Sequence, residues 1–122
     1  MPIIDVELVA GAAGVVAAGT AQSLADVVGR TLGSPPGQTW VRVRVLPRDH
    51  YAENESPVEM TALPVFVTVL KRAPPTRTEL AGEISALTDA IAQALARPVS
   101  CVHVGYAPAA AGRLAFGGRL VE

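Results

Sequence analysis

Two stretches of this chain, LADVVGRTLGSP and LTDAIAQALARP, are variants of one another. Leu24 matches Leu87, Asp26 matches Asp89, Leu32 matches Leu95 and Pro35 matches Pro98, all at an offset of 63. Their flanks repeat as well. Pro2 heads the alternating run IIDVELV, and Pro64, at an offset of 62, heads VFVTVLK. Val41 in WVRVRVL precedes Val102 in VHVGY by 61. Such a duplication restricts the fold to two copies of one supersecondary unit sharing a core. The 122 residues suit one domain built of two repeats, over about 1–60 and 61–122.

Periodicity identifies the unit. In the first strand Pro2, Ile4, Val6 and Leu8 share one face, with Ile3, Asp5 and Glu7 on the other. A small-residue segment, AGAAGVVAAG, reads as loop or poorly formed helix because of its three glycines. Leu24, Val28 and Leu32 then recur at helical spacing over residues 20–33, with Thr20 or Ser23 as candidate caps and Gly33 and Pro35 as stop signals. A second strand sets Val41, Val43 and Val45 against Trp40, Arg42 and Arg44. The second half repeats strand, helix and strand. Its helical stripe is Leu80, Ile84, Leu87, Ile91 and Leu95, preceded by a Thr76–Glu79 capping box, and GRLAFGGRL reads as a short edge hairpin. Each β-α-β crossover makes its two strands parallel. Two units side by side give an α/β (α+β) fold, a four-stranded mixed sheet with both helices on one face. The other face would carry Asp5, Glu7, Trp40, Arg42, Arg44, Phe66 and Thr68, too apolar a mixture for simple solvated surface. Oligomerisation is the expected remedy.

Composition excludes several classes of function. The formal charge is −1, which offers no global attraction for nucleic acid or anionic membrane. No apolar run has the length of a transmembrane helix. The start lacks a basic n-region, and Asp5 and Glu7 interrupt its apolar run, so a secretory leader is not expected. A single cysteine, Cys101, forms no intrachain disulfide and suits a reducing cytoplasm. It reads as a buried structural thiol. Two histidines and one cysteine show no ligand spacing, so neither a metal nor an organic cofactor is expected.

The N-terminal proline after Met1, the duplicated β-α-β unit and the ending GRLAFGG together resemble the tautomerase superfamily. From PVFVTVL to AFGG the second half resembles 4-oxalocrotonate tautomerase. The two-unit length resembles macrophage migration inhibitory factor, 5-(carboxymethyl)-2-hydroxymuconate isomerase and the haloacrylate dehalogenases. The resemblance implies a homotrimer whose sites include residues of neighbouring chains. It also implies that Pro2, freed by removal of Met1, is the general base acting on a small enol or 2-keto acid. An ordinary α-amine titrates near 7.7–8.0, and desolvation or nearby cations lower that value toward a working base. Pro64 matches Pro2 but follows Leu63 in an amide, so one basic proline per chain is expected.

The same resemblance nominates substrate-binding groups. Arg42 falls where 4-oxalocrotonate tautomerase carries a substrate-binding arginine, and His103 occupies the matching position of the second repeat. Arg44 shares the face of Arg42, where a guanidinium could fork a carboxylate. Arg72 resembles a carboxylate-binding arginine of the dehalogenases and the malonate semialdehyde decarboxylases. Their second arginine is unmatched because Pro74 and Pro75 fill the loop, leaving Arg77 as a substitute. Leu114 aligns with an active-site aromatic and would supply an apolar wall. In the polar stretch PRDHYAEN, His50 or Tyr51 would donate to a developing enolate, with Arg48, Asp49 and Glu53 as solvated loop. Trp40, Phe66 and Phe116 read as packing residues. GYAPAAAGRLAFGG holds no carboxylate for the water activation of the dehalogenases, and GSPPGQTW lacks the aspartate of the decarboxylases. Plain tautomerisation remains by subtraction. The competing classes are a non-catalytic oligomeric interaction protein that keeps the fold, a lyase of the same superfamily, and an isomerase of carboxymethylated muconates.

Overall fold

Alternation in the first strand translates directly into burial. In a computed structural model that describes residues 2–11 and 16–122, strand β1 (Pro2–Ala10) buries Pro2, Ile4, Val6 and Leu8 and leaves Ile3, Asp5 and Glu7 half-buried. Helix α1 (Thr20–Thr31) returns along the sheet and feeds strand β2 (Trp40–Pro47), which pairs parallel to β1 with Ile3 beside Trp40 and Ala10 beside Pro47. The second unit follows as strand β3 (Val65–Lys71), helix α2 (Arg77–Leu95) and strand β4 (Val102–Tyr106). Strands β3 and β4 pair in parallel, and β3 runs antiparallel to β1, with Pro2 opposite Lys71. The order β2-β1-β3-β4 is the expected mixed sheet, joined through its two proline-headed strands.

Both helices cover one face. Leu24 and Val28 of α1 and Leu87 and Ile91 of α2 are completely buried against Ile4, Val6, Val65, Val67 and Val69. Each such side chain contributes about 1.5–3 kcal/mol by leaving water. This aliphatic layer suits a chain that is half hydrophobic but only 4% aromatic. Leu80, Ile84 and Leu95, at the ends of the α2 stripe, are only partly buried. The tail makes the expected hairpin, with strand β5 (Ala115–Phe116) antiparallel to strand β6 (Arg119–Leu120).

Helix ends follow the sequence signals with one correction. Thr76 begins α2 in a capping box, its backbone N–H donating to Glu79 Oε1 at 3.2 Å and its hydroxyl to the same oxygen at 2.5 Å. Neither Thr20 nor Ser23 caps α1. Gly19 occupies that position at φ 86°, and the Thr20 hydroxyl instead donates to the carbonyl of Ala17 at 2.7 Å. Gly33 ends α1 at φ 66°, where Ser34 N–H reaches the Gly29 carbonyl at 2.8 Å. The strand read over residues 99–106 starts late, because Val99–Cys101 form a short 3-10 turn. Cys101 is buried, as expected. Met1 and residues 12–15 of the glycine-rich segment lie outside the described residues.

Candidate active site

Pro2 sits at the start of an inner strand, so three elements converge on it. Its ring points to the helix face, where it is buried beside its cross-strand partner Lys71. Lys71 also points to the helix face, and its ammonium lies 2.8 Å from Glu83 Oε1 on α2. The hydroxyl of Tyr106, at the end of β4, donates to the other oxygen of Glu83. Both members of the ion pair are largely covered, at 25% and 20% side-chain exposure, so solvent screens it less than a surface pair. Burial, reinforced by Glu83, pushes the Tyr106 phenol well above the ordinary tyrosine range. It is therefore a fixed hydrogen-bond donor at neutral pH.

The tail closes over this end. Ala110 N–H bonds the Lys71 carbonyl at 2.9 Å and Ala111 N–H bonds the Arg72 carbonyl at 3.1 Å. Val121 N–H reaches the Leu114 carbonyl at 2.8 Å, which folds the last residues back, and Arg72 Nε donates to the backbone oxygen of Glu122. Across β1 from Lys71, Trp40 lies beside Ile3 in register and packs edge-on against Phe116 at 4.8 Å between centroids. Pro2, Arg72 and Leu114 thus gather at one end of the sheet, under a tail that also supplies an aromatic wall.

The remaining candidates lie elsewhere on the same chain. Arg42 is on the helix-free face, where its Nε and Nη2 fork the carboxylate of Asp5 at 2.6 and 2.8 Å. That bidentate pair holds Asp5 below the usual carboxylate range and raises the already high pKa of Arg42. Arg44 is exposed two residues further on, and its side chain makes no hydrogen bond among the described residues. His103 stacks obliquely on Phe66 at 5.5 Å, and Phe66 meets Tyr51 at 5.9 Å. Tyr51 donates to Glu53 at 2.8 Å, a bond that raises its phenol pKa. His50 ends an exposed 3-10 turn after β2. Since Pro47 is level with Ala10, the segment carrying His50 and Tyr51 leaves β2 at the opposite end of β1 from Pro2, a strand length of about 26 Å at ~3.3 Å per residue. Tyr51 folds back only as far as Phe66, level with Glu7. One chain does not bring them to the proline.

Comparison with known proteins fits this geometry. No protein-family model and no curated protein matches the sequence. Solved structures do. The fused 4-OT Q0, a wild-type symmetric trimer, superposes with a TM-score of 0.71 at 20% identity, covering 98% of this chain and 94% of that one. Pt0534, crystallised after inactivation by 2-oxo-3-pentynoate, gives 0.72 at 18% identity over 98% and 96%. Macrophage migration inhibitory factor from Oncomelania hupensis gives 0.73 at 17% identity over 100% and 83%. This chain has the tautomerase fold.

Within the tautomerase fold, the polar cluster built on the cross-strand partner of Pro2 is one that sequence reasoning did not single out. Lys71, Glu83 and Tyr106 each sit in a register otherwise filled by core residues. Lys71 follows Val65, Val67 and Val69; Tyr106 follows Val102 and Val104; Glu83 lies four residues before Leu87. A charge or phenol at the end of a buried stripe was the available signal. Each position alone reads as a fraying edge. Only the packing of α2 over β3 and β4 joins them.

Proposed function

We propose that this protein is a cofactor-independent tautomerase in which Pro2, freed of Met1, is the general base on a small enol or 2-keto acid. The observation that carries this reading is the placement of Pro2. It stands at the head of an inner strand of a tautomerase fold, buried, opposite Lys71 at the end of β3, at the end of the sheet where the tail bonds Lys71 and Arg72. Burial and nearby Lys71 and Arg72 favour the neutral amine, the form that takes a proton. Arg72, beneath the tail, is the group that holds the substrate carboxylate. Inactivation of Pt0534, a protein of this fold, by the 2-keto acid 2-oxo-3-pentynoate supports the same substrate class.

The active assembly in this reading is a homotrimer, as the fused 4-OT structures Q0 and W0 are. The helix-free face carries Trp40 and Phe66 at 48% and 37% exposure, apolar area that a neighbouring chain would cover. A neighbour on that face also supplies the only route by which Arg44, His50, Tyr51 and His103 join a proline. Arg42 is the carboxylate ligand only if Asp5 yields its guanidinium.

The test begins with intact mass, which reports whether Met1 has been removed. Met1-free protein is expected to ketonise phenylenolpyruvate or 2-hydroxymuconate, and Pro2→Ala to lose at least about a hundredfold in rate, the usual contribution of a general base. Unchanged turnover in Pro2→Ala would sink the proline mechanism. Retention of Met1 in the purified protein would instead favour the interaction-protein reading.

A further inference from the structure

Carboxylates beside a basic nitrogen usually oppose its deprotonation, yet the carboxylate that meets the cross-strand partner of Pro2 is engaged on both oxygens. Glu83 receives the Lys71 ammonium on one oxygen and the Tyr106 hydroxyl on the other. We propose that Glu83 is a positioning residue for Pro2: it clamps Lys71 to Tyr106 over β3 and β4, beside the start of β1, and thereby sets how much positive charge the Pro2 nitrogen feels. This rests on the reading of Pro2 as a free amine.

The other charged and titratable groups at this end have partners or positions of their own. From β3 comes Arg72, held at Glu122 of the tail. From α2 comes Glu79, tied to Thr76 by the capping box. The tail also carries Arg113 and Arg119, both exposed, β1 carries Asp5, forked by Arg42 on the helix-free face, and β2 contributes Trp40, which is uncharged. Glu83 is thus the carboxylate paired directly with Lys71. Its loss leaves only the more distant Glu79, itself held below the usual carboxylate range chiefly by Thr76 and in part by Lys71, to offset the ammonium. Cross-strand partners stand about 4.5–5.5 Å apart at Cα, and Lys71, the one lysine of the sequence, is the partner of Pro2. Its position is defined because Glu83 anchors its tip instead of leaving it to sweep through solvent.

Sign follows from the charges. A neutralised Glu83 leaves the Lys71 ammonium without its paired carboxylate, which disfavours a second cation at Pro2 and lowers its pKa. A neutralised Lys71 leaves an anion, which favours protonated Pro2 and raises its pKa. At ordinary effective dielectrics for partly buried charges, each change is expected to be roughly one unit. The double variant should return close to wild type. A purely structural clamp has no such symmetry.

The experiment is an NMR titration of isotopically labelled proline in Met1-free protein, with Met1 removed by an aminopeptidase if intact mass shows it retained. The variants are Glu83→Gln, Lys71→Gln and the double, with Tyr106→Phe as a variant that keeps both charges. Opposite shifts in the two single variants, cancelling in the double, are the expected result. Shifts in the same direction, or none above about 0.2 units, would overturn the proposal, as would a larger shift in Tyr106→Phe than in either charge variant. The readout needs no substrate. A protein that shows the opposed shifts but ketonises no enol would overturn the tautomerase reading and leave this one standing.

Discussion

Asp5 and Arg42 show how a residue can be placed correctly and still acquire an unexpected partner. Their side chains were assigned to one sheet face from alternation alone, and the register of β1 on β2 then sets them directly opposite. The resulting fork uses the guanidinium edge that a substrate carboxylate would need. Asp5 therefore titrates below an ordinary aspartate, chiefly because of its hydrogen bonds to Arg42. The linked stability is present above the unfolded-state pKa and disappears as pH falls through the lowered folded value. Arg42→Ala is expected to raise the Asp5 pKa toward about 3.9, read by carboxyl NMR, and to flatten the acid limb of the stability curve. An unaltered Asp5 titration in that variant would mean that the fork does not persist in solution. Pro2 was legible for a different reason, since its chemistry depends on chain position. Lys71, Glu83 and Tyr106 were not, because Glu83 is 12 residues from one partner and 23 from the other.

At the scale of elements, the repeat allows the same helix ending to be read twice. Gly33 and Ala96 occupy equivalent places at the offset of 63, and both adopt left-handed φ, 66° and 53°. Glycine adopts that conformation freely, whereas a Cβ costs energy there. The second unit tolerates alanine because the cap still forms, with Arg97 N–H on the Ala92 carbonyl at 2.9 Å. Arg97 adds two bonds of its own, to the carbonyls of Leu63 at 2.8 Å and Val9 at 2.9 Å, pinning the end of α2 between β1 and β3. Ala96→Gly is expected to stabilise the protein by up to about 1 kcal/mol, seen as a higher urea midpoint with an unchanged slope. A lower midpoint would show that the strain is relieved in solution. Elements themselves were readable from period and stop signals. The Gly19 cap was missed because hydroxyls at Thr20 and Ser23 are the commoner signal, and Thr20 spends its hydroxyl on Ala17.

For the whole molecule, the helix-free face is the unfinished part of the design. Trp40, Phe66 and His103 lie among Asp5, Glu7, Arg42 and Arg44 on a surface that one chain leaves open. Phe66→Asp, placing a charge on that face, is expected to convert the proposed trimer to monomers, with a threefold fall in mass by light scattering. An unchanged mass would move the interface elsewhere. If a neighbour completes the site, the same variant also loses turnover while Pro2 keeps its own pKa.

Repetition, alternation and helical spacing are properties of the chain, and they were enough to determine the elements, their pairing into one mixed sheet and the place of Pro2 at its head. These depend on local backbone geometry and on which residues avoid water, both written in the order of letters. The charge beside Pro2 was decided only by tertiary structure. Strand register puts Lys71 opposite the proline, and the seating of α2 brings Glu83 within reach of both Lys71 and Tyr106. Electrostatic neighbours are set by distances across elements, and no pattern along the chain encodes those distances.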